Sequence, residues 1–151
     1  MFLIFLNYNP LVVTNRIVYK GEFILKNKVI KMKTKIAVEG LEKDIVPFIC
    51  KILEMEDYNI CYRHESPFQK DSVAIIDDII ESGPDITIVC NAEYYSSFLK
   101  TYSERTDIPL IVLTGGGPEL EEKVKEYTPH VLSVPFPSIE NLYEKINEII
   151  G

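Results

Sequence analysis

The stretch from Pro84 to Cys90, Pro-Asp-Ile-Thr-Ile-Val-Cys, decides how this chain is expected to fold. It is mostly apolar and β-branched, with a turn at residues 82–84 before it and Asn91 after it. A strand that helices cover on both faces needs no polar side, so a short apolar run between turn signals predicts such a strand. A second run of this kind, Ile108–Thr114, follows after one helix-length segment. Two buried strands separated by a helix predict a βαβ unit with parallel strands.

The same alternation extends from Met32 to the end of the chain. The predicted strands are Lys35–Val38, Tyr58–Tyr62, Asp85–Cys90, Ile108–Thr114 and His130–Val134. The predicted helices are Asp44–Met55, one ending at Glu81, Glu93–Glu104, Pro118–Tyr127 and Ser138–Ile150. Apolar stripes predict the buried faces of the first two helices as Ile45, Phe48, Ile49, Ile52 and Leu53, and as Val73, Ile76, Ile79 and Ile80. Five strands alternating with five helices predict one α/β domain over residues 32–151, an open sheet covered by helices on both faces.

Residues 1–31 differ from the rest of the chain. Their apolar opening, Phe2–Leu6, is too short to span a membrane. Arg16–Tyr19 and Phe23–Leu25 predict a weak hairpin. An isolated hairpin is only marginally stable, so we expect an extension that is poorly ordered or draped on the surface, or a mis-called start with Met32 as the true first residue. Such a segment contributes little to a core, and its removal should shift the thermal midpoint by only a few degrees.

Charge and composition limit the classes of partner. The chain has a net charge of −7, made of +4 in residues 1–31 and −11 in residues 32–151. An acidic body argues against nucleic-acid binding, which requires clustered Lys and Arg. No apolar run approaches the ~18 residues of a membrane helix, so no membrane partner is expected. Cys50, Cys61 and Cys90 lack metal-site spacing, which predicts buried thiols, a cytoplasmic location, and no metal or cofactor.

In an open α/β sheet the functional cleft lies beyond the carboxyl ends of the strands. The predicted strands place Glu39-Gly40, Arg63-His64, Cys90-Asn91, Thr114-Gly115 and Val134-Pro135 there. Glu39 is a lone carboxylate, for which a solvated residue that caps a turn is the simpler interpretation. Cys90 is a candidate nucleophile that His64 could approach in space. A reactive thiol needs a lowered pKa, so a buried or cleft-lining thiol is the favoured interpretation of Cys90.

The turn Gly115-Gly116-Gly117 before a helix is similar to a phosphate-binding loop, because helix N-termini present N–H groups. It lacks the Lys-Ser/Thr of a P-loop, and the acids Glu119, Glu121 and Glu122 suit the helix dipole but repel phosphate. We therefore interpret it as a flexible turn. No Gly-x-Gly-x-x-Gly follows the first strand, so the dinucleotide-binding fingerprint is absent.

The run Lys35–Ile150 resembles the CheY-like receiver domain of two-component response regulators. The resemblance rests on Pro84–Val89, similar to the family's PDLVLLD strand, and on Ile108–Gly115, similar to IPVIxLTA. It also rests on Pro135-Phe136 before an amphipathic last helix, similar to KPF. It implies a flavodoxin-like three-layer αβα fold with a five-stranded parallel sheet in the order 2-1-3-4-5 and Asp85–Cys90 at its centre. It also implies a cis peptide between Val134 and Pro135.

Matched position by position, the resemblance implies a degenerate receiver cleft made of Glu39, Gly40, Cys90, Asn91, Thr114, Val134 and Pro135. Cys90 stands in place of the phosphoaccepting aspartate, Gly40 in place of the second acid, and Val134 in place of the lysine. Aspartyl phosphorylation needs a carboxylate nucleophile, Mg²⁺ held by oxygen ligands and a neutralising cation. We therefore expect a pseudo-receiver and no enzyme.

Such a module would signal by binding a protein partner or a second copy of itself, through the fourth and fifth helices that receivers use for dimers. The alternative that stays open is a flavodoxin-like enzyme subunit, or a thiol or phosphocysteine transfer protein that uses Cys90.

Overall fold

The structure is a computed structural model of the 151-residue chain. It describes residues 11–13, 16–19, 22–25, 28–40, 45–65, 71–90, 96–115, 117–133 and 139–151, with side chains from Met32 onward except at Glu65 and Ser96. The chain divides into two compact units, Met1–Thr34 and Lys35–Gly151.

The first unit contains a four-stranded antiparallel sheet. Its strands are β1 (Leu11–Val13), β2 (Arg16–Tyr19), β3 (Glu22–Leu25) and β4 (Lys28–Lys31), paired in that order. The predicted hairpin is confirmed by the pairing of β2 with β3. The two outer strands were not predicted, because apolar residues at consecutive positions give no alternating pattern. The boundary after residue 31, the poorly ordered extension and the mis-called start stay predictions.

The second unit is a parallel α/β domain. Its strands are β5 (Lys35–Gly40), β6 (Asn59–Glu65), β7 (Ile86–Cys90), β8 (Leu110–Thr114) and β9 (Val131–Ser133). Its helices are α1 (Ile45–Met55), α2 (Ser72–Ser82), α3 (Ser96–Arg105), α4 (Pro118–Lys125) and α5 (Glu140–Ile150). The strands run parallel in the order β6-β5-β7-β8-β9. The predicted order 2-1-3-4-5 with β7 at its centre is confirmed.

Helices cover both faces of this sheet. The α1/α5 face packs Ile86, Ile88 and Cys90 of β7 against α1 and α5. The α2/α3/α4 face packs Val89 of β7 against residues of the other three helices. All five residues of β7 are buried, so the three-layer αβα architecture is confirmed. None of the described helices is long and apolar enough to cross a bilayer.

Two predicted helix faces were partly wrong. In α1, Phe48 is 50% exposed, whereas Val46 and Cys50 are buried. In α2, Val73 and Ile80 are 37% and 38% exposed, and Ile75 is buried in their place. Both helices carry apolar residues on more than half of their circumference. A stripe that wide leaves the rotation of the helix open, and contact with the sheet decides it.

The edge strand β6 is longer than predicted. The expected strand ended at Tyr62 and gave way to a loop, but the observed strand continues to Glu65. Pairing with β5 holds the extra residues, with Arg63 opposite Val38 and His64 opposite Glu39. These polar residues lack the apolar signature of a strand, so pairing with a neighbour is what extends the element.

A buried hydrogen bond ties α3 to the central strand. The Tyr102 hydroxyl lies 2.8 Å from Thr87 Oγ1 and 3.3 Å from the Ile108 carbonyl oxygen, to both of which it donates. Tyr102 is 2% exposed. Burial raises the pKa of Tyr102 to about 12, although the hydrogen bond to Thr87 opposes the rise. The folded chain therefore holds this proton to a higher pH than an unfolded chain does.

Replacement of Tyr102 by Phe should change how stability depends on pH. An unfolded tyrosine ionises near pH 10, so the raised pKa contributes stability below about pH 10 that is lost as pH rises toward 12. In urea unfolding between pH 8 and 11, Tyr102→Phe should cost about 1 kcal/mol at pH 8 through the lost hydrogen bond. This difference from the unsubstituted chain should shrink above pH 10. A difference that stays constant across the range would contradict the assignment.

Candidate functional site

The carboxyl ends of the parallel strands bring together part of the predicted cleft. β5 ends at Glu39 and Gly40, β7 at Cys90 and β8 at Thr114, all of them buried. Three further members of the predicted cleft, with the predicted cis peptide, lie outside the described residues: Asn91, Val134 and Pro135.

The described cleft residues lie on opposite faces of the sheet. Successive residues of a strand alternate between faces, and Cys90 packs with Ile88 on the α1/α5 face. Gly40 is paired with Cys90, so it belongs to the same face. Glu39 alternates with Gly40 and lies on the α2/α3/α4 face, as its neighbour Ala37 does. The predicted cleft is therefore two environments, which the sheet separates.

On the α1/α5 face, Gly40 is a point of close approach. A Cβ atom at Gly40 would lie 2.6 Å from Val46 Cγ2 and 3.0 Å from Cys90 Cβ. The first distance is shorter than two carbon atoms tolerate and the second is tight, so any larger residue at position 40 requires Val46 or its surroundings to shift. Cys90 is 0% exposed within an apolar cluster. The interpretation of Cys90 as a buried thiol is confirmed.

On the α2/α3/α4 face, Glu39 is paired with a histidine. Glu39 is 0% exposed, and its Oε1 lies 2.9 Å from Nδ1 of His64, whose side chain is 12% exposed. The interpretation of Glu39 as a solvated turn residue is wrong. A carboxylate is costly to bury unless a hydrogen-bonding or charged partner compensates it, and His64 supplies that partner.

A bulge in β6 selects His64 as that partner. Ile36 is paired with Ile60, but the next residue, Ala37, is paired with Tyr62, so Cys61 is the extra residue. Without the extra residue, Arg63 would stand opposite Glu39. Because residues opposite each other in a parallel pair share a face, the shift also leaves Tyr62 on the same face as His64.

The pKa of Tyr62 reflects its burial and the negative charge of Glu39. Burial raises the pKa of Tyr62 well above its usual range, and the negative charges of Glu39 and Asp78 add to the rise. The tyrosine thus stays a neutral hydroxyl at any physiological pH. Glu39 and His64 thus form a hydrogen-bonded pair on the α2/α3/α4 face, and the neutral Tyr62 packs on the same face.

His64 does not act on Cys90. The ring nitrogen Nδ1 is bound to Glu39 on the α2/α3/α4 face, whereas Cys90 packs on the opposite face. The suggestion that His64 could approach the thiol is therefore wrong. The sequence placed both at the same edge of the sheet, but alternation and the bulge in β6 decide the face of each.

The turn before α4 does not resemble a phosphate cradle in its charges. Gly117 has a φ of 79°, which favours glycine, and its position as N-cap has no side-chain cap bond. Glu119 and Glu121 occupy the first turn, and Ser133 Oγ donates to Glu121 Oε1 at the end of β9. Acids in this turn satisfy the helix dipole. In the part of the chain that the structure describes, no three His, Cys, Asp or Glu side chains are grouped to hold a metal ion.

Comparison with solved structures identifies the fold. The receiver domain of the Francisella response regulator 1452 is 21% identical, with a TM-score of 0.61 over 78% of this chain and 97% of that domain. The receiver domain of a modulated diguanylate cyclase from Desulfovibrio desulfuricans is 16% identical, with a TM-score of 0.58 over 76% and 92%. The anti-anti-sigma factor PhyR from Bartonella quintana is 10% identical, with a TM-score of 0.55 over 80% of this chain and 48% of its own.

These likenesses define the class of structure: the chain has the CheY-like receiver fold. Identities this low show the fold alone. No protein-family model and no curated protein matches the chain.

The Glu39–His64 pair should be energetically coupled. His64→Ala leaves the buried carboxylate without its imidazole and should cost about 2–4 kcal/mol in urea unfolding. Glu39→Gln removes the charge, so the double variant should cost about 1–3 kcal/mol less than the two single costs added together. Arg63→Ala is a control on the same strand, where an exposed residue should cost about 1 kcal/mol or less. Additive costs would show that the two side chains do not depend on each other.

Proposed function

We propose that this chain is a pseudo-receiver, a signalling module that acts by binding a protein and that neither accepts a phosphoryl group nor catalyses a reaction. The receiver fold supports the signalling part of the proposal. Because fold does not fix function, the loss of phosphotransfer is argued from the residues themselves.

The close packing of Gly40, Val46 and Cys90 carries the proposal. The resemblance places the phosphoaccepting aspartate at Cys90 and an acidic metal ligand at Gly40. Here a side chain at position 40 would collide with Val46 Cγ2 at 2.6 Å, and the thiol is 0% exposed among apolar neighbours. Packing has thus taken the space that a carboxylate at position 40 would need, and the thiol at position 90 is enclosed by apolar residues.

The remaining acid supports the same conclusion. Glu39 has its Oε1 engaged by His64 at 2.9 Å and is buried on the other face of the sheet. Phosphoryl transfer depends on an in-line nucleophile and on cations that stabilise the charge of the transition state. A buried thiol on one face and a compensated carboxylate on the other do not supply this arrangement.

Incubation with Mg²⁺ and acetyl phosphate tests the proposal. Intact mass should show no added phosphoryl group on this chain, while an active receiver domain treated in parallel gains one. Cys90→Asp should also stay unmodified, because it restores a nucleophile without the second acid or the cation.

Two results would contradict the proposal. A stoichiometric phosphoryl gain that is lost in Cys90→Ala would favour the thiol or phosphocysteine transfer alternative. A gain that survives Cys90→Ala would point to a different acceptor and would equally end the pseudo-receiver interpretation.

We place the protein-binding surface on α4 and α5. Both helices expose acids, with Glu122 held 2.7 Å from Lys125 Nζ and Glu148 held 2.8 Å from Lys145 Nζ. Glu144 is exposed on α5. Exposed charges steer association and select partners more than they add affinity. A partner with a basic surface fits these two helices best.

Charge reversal locates this surface. Proteins encoded beside this chain are titrated against it by calorimetry, and Glu122→Lys and Glu144→Lys should each weaken a partner's binding by about tenfold or more. Glu104→Lys on α3 is the matched control and should leave affinity unchanged. Binding that all three variants retain would place the partner on another surface.

A further inference from the structure

A stripe of apolar side chains on α1 is open to solvent at both of its ends. Phe48, Ile52 and Met55 follow one another at helical spacing, so they lie along one side of α1. Ile52 is 8% exposed, whereas Phe48 is 50% exposed and Met55 is 76% exposed. Among the large hydrophobic side chains that the structure describes, these two are the most exposed. Two such side chains on one stripe form a patch, which is typical of a surface that binds another molecule.

Helix α5 covers the middle of this stripe. The Tyr143 hydroxyl donates a hydrogen bond to the Ile52 carbonyl oxygen at 3.1 Å. The ring centroid of Tyr143 lies 6.4 Å from that of Tyr58, which follows α1. Ile150 comes two turns after Tyr143 on the same side of α5 and is 41% exposed. The surface where the two helices meet is therefore lined by Phe48, Met55, Tyr143 and Ile150, and we call it the Phe48 seam.

The charges around the Phe48 seam are mostly negative. Burial raises the pKa of Tyr143, and the negative charges of Glu56 and Glu140 add to the rise, so both acids act on this hydroxyl. Residues 45–58 carry three acids and one base, and residues 139–151 also carry three acids and one base, which gives −2 for each segment. Neither α1 nor α5 has a basic residue in its last turn, where the helix dipole favours a cation. The seam therefore combines apolar side chains with a negative potential.

A second copy of this chain is a poor occupant for such a surface. A two-fold contact sets a surface against itself, so each copy would bring both negatively charged segments to the interface. Like charges that face each other across an interface disfavour association. The occupant that fits is a different protein, in which basic residues flank the apolar contact.

We propose that the Phe48 seam is a docking groove for an amphipathic helix of a partner protein, with Lys and Arg on both sides of its apolar stripe. Met55 comes seven residues after Phe48 in α1, which is about 10 Å along a helix. A partner helix of about three turns, with apolar residues at i, i+3 or i+4 and i+7, covers both open ends of the stripe. Arginine suits the middle of the seam, because its guanidinium stacks on a tyrosine ring and pairs with carboxylates.

This inference goes beyond the proposed function and does not depend on it. It uses the side of α5 that contacts α1, whereas the proposed function uses α4 and the carboxyl ends of the strands. Phosphorylation by acetyl phosphate would end the pseudo-receiver proposal without affecting the seam, and a seam that binds no helix would leave that proposal intact.

Helix α2 supplies a matched control. Val73 and Ile80 are also seven residues apart, and they are 37% and 38% exposed. Asp77 lies on the same side of α2 and is already paired with Arg105 of α3. The charge nearest to this second stripe is thus compensated, so the stripe offers apolar contact with less attraction for a basic partner.

Two synthetic peptides of about 18 residues test the groove in the full chain. Both carry the same stripe of leucines at helical spacing, but the polar face is lysine and arginine in one and glutamate in the other. Fluorescence anisotropy of the labelled peptides is measured against the chain at up to about 500 µM. The basic peptide should bind with a dissociation constant of about 1–100 µM, as is typical of a small interface. The acidic peptide should bind at least tenfold more weakly.

Substitutions locate the bound peptide. Phe48→Ser together with Met55→Ser removes both open ends of the stripe, and the basic peptide should then bind at least tenfold more weakly. The two side chains are largely exposed, so the urea midpoint should change little, which is measured in parallel. Val73→Ser together with Ile80→Ser on α2 should leave the affinity within about twofold of the unsubstituted chain.

Four results would overturn the proposal. The first is a basic peptide that does not bind, and the second is one that the Phe48 and Met55 variant binds as tightly as the unsubstituted chain. The third is an equal loss of binding in the α2 variant, which would show unspecific apolar contact. The fourth is a dimer of the unsubstituted chain in sedimentation equilibrium that the Phe48 and Met55 variant dissolves, which would assign the seam to a second copy.

Discussion

Burial of both faces of the central strand is the constraint on which the receiver-like unit depends. Every residue of β7 is buried, with Ile86 and Ile88 packing to one side and Val89 to the other. A parallel strand in this position requires helices on both sides and crossovers that return the chain to the same end. The polar side chains that could form a site then lie at the carboxyl ends of the strands, where the chain leaves the sheet. The fold thus determines where a site can lie, whichever residues occupy that position.

Two buried polar side chains of the parallel sheet have hydrogen-bonding partners within the chain. Glu39, at the carboxyl end of β5, is bonded to His64, and Thr87, near the amino end of β7, is bonded to Tyr102. On the opposite face, the absence of a side chain at Gly40 allows Val46 and Cys90 to pack closely. Each arrangement lowers the cost of burial, because a buried polar group with a partner and a filled space are more stable than an unpaired polar group and a cavity. Receiver domains that share 16–21% of their residues with this chain have the same fold.

The two units differ in the number of layers that they contain. The parallel sheet is covered by helices from its own sequence, so its strands can be apolar on both faces. The antiparallel β1–β4 sheet is a single layer of four strands with three or four residues each, and no helix is among its described elements. A layer of that size buries too little surface to be stable alone.

The sequence by itself determined the class of fold. Short apolar runs separated by helix-length amphipathic segments leave few arrangements other than a parallel sheet covered on both sides. The strand order was implied by the resemblance to receiver domains that the motifs around β7 and β8 carry. Most of the buried strand residues could be predicted from the same apolar runs, because a strand covered on both faces buries the residues of both faces. The edge itself was predictable for the same reason, since parallel strands all end on one side.

Only the tertiary structure decided which residues meet there. Glu39 and His64 are 25 positions apart, and the extra residue Cys61 brings His64, rather than Arg63, opposite Glu39. A bulge has no signature in local composition, because it depends on how two strands pair across the sheet. The rotation of α1 and α2 was open for a related reason: a helix that is apolar on most sides takes its orientation from the surface it packs against. Features that depend on one segment, such as a buried strand, could be predicted from the sequence. Features that depend on how two segments pack, such as the partner of a buried carboxylate, could not.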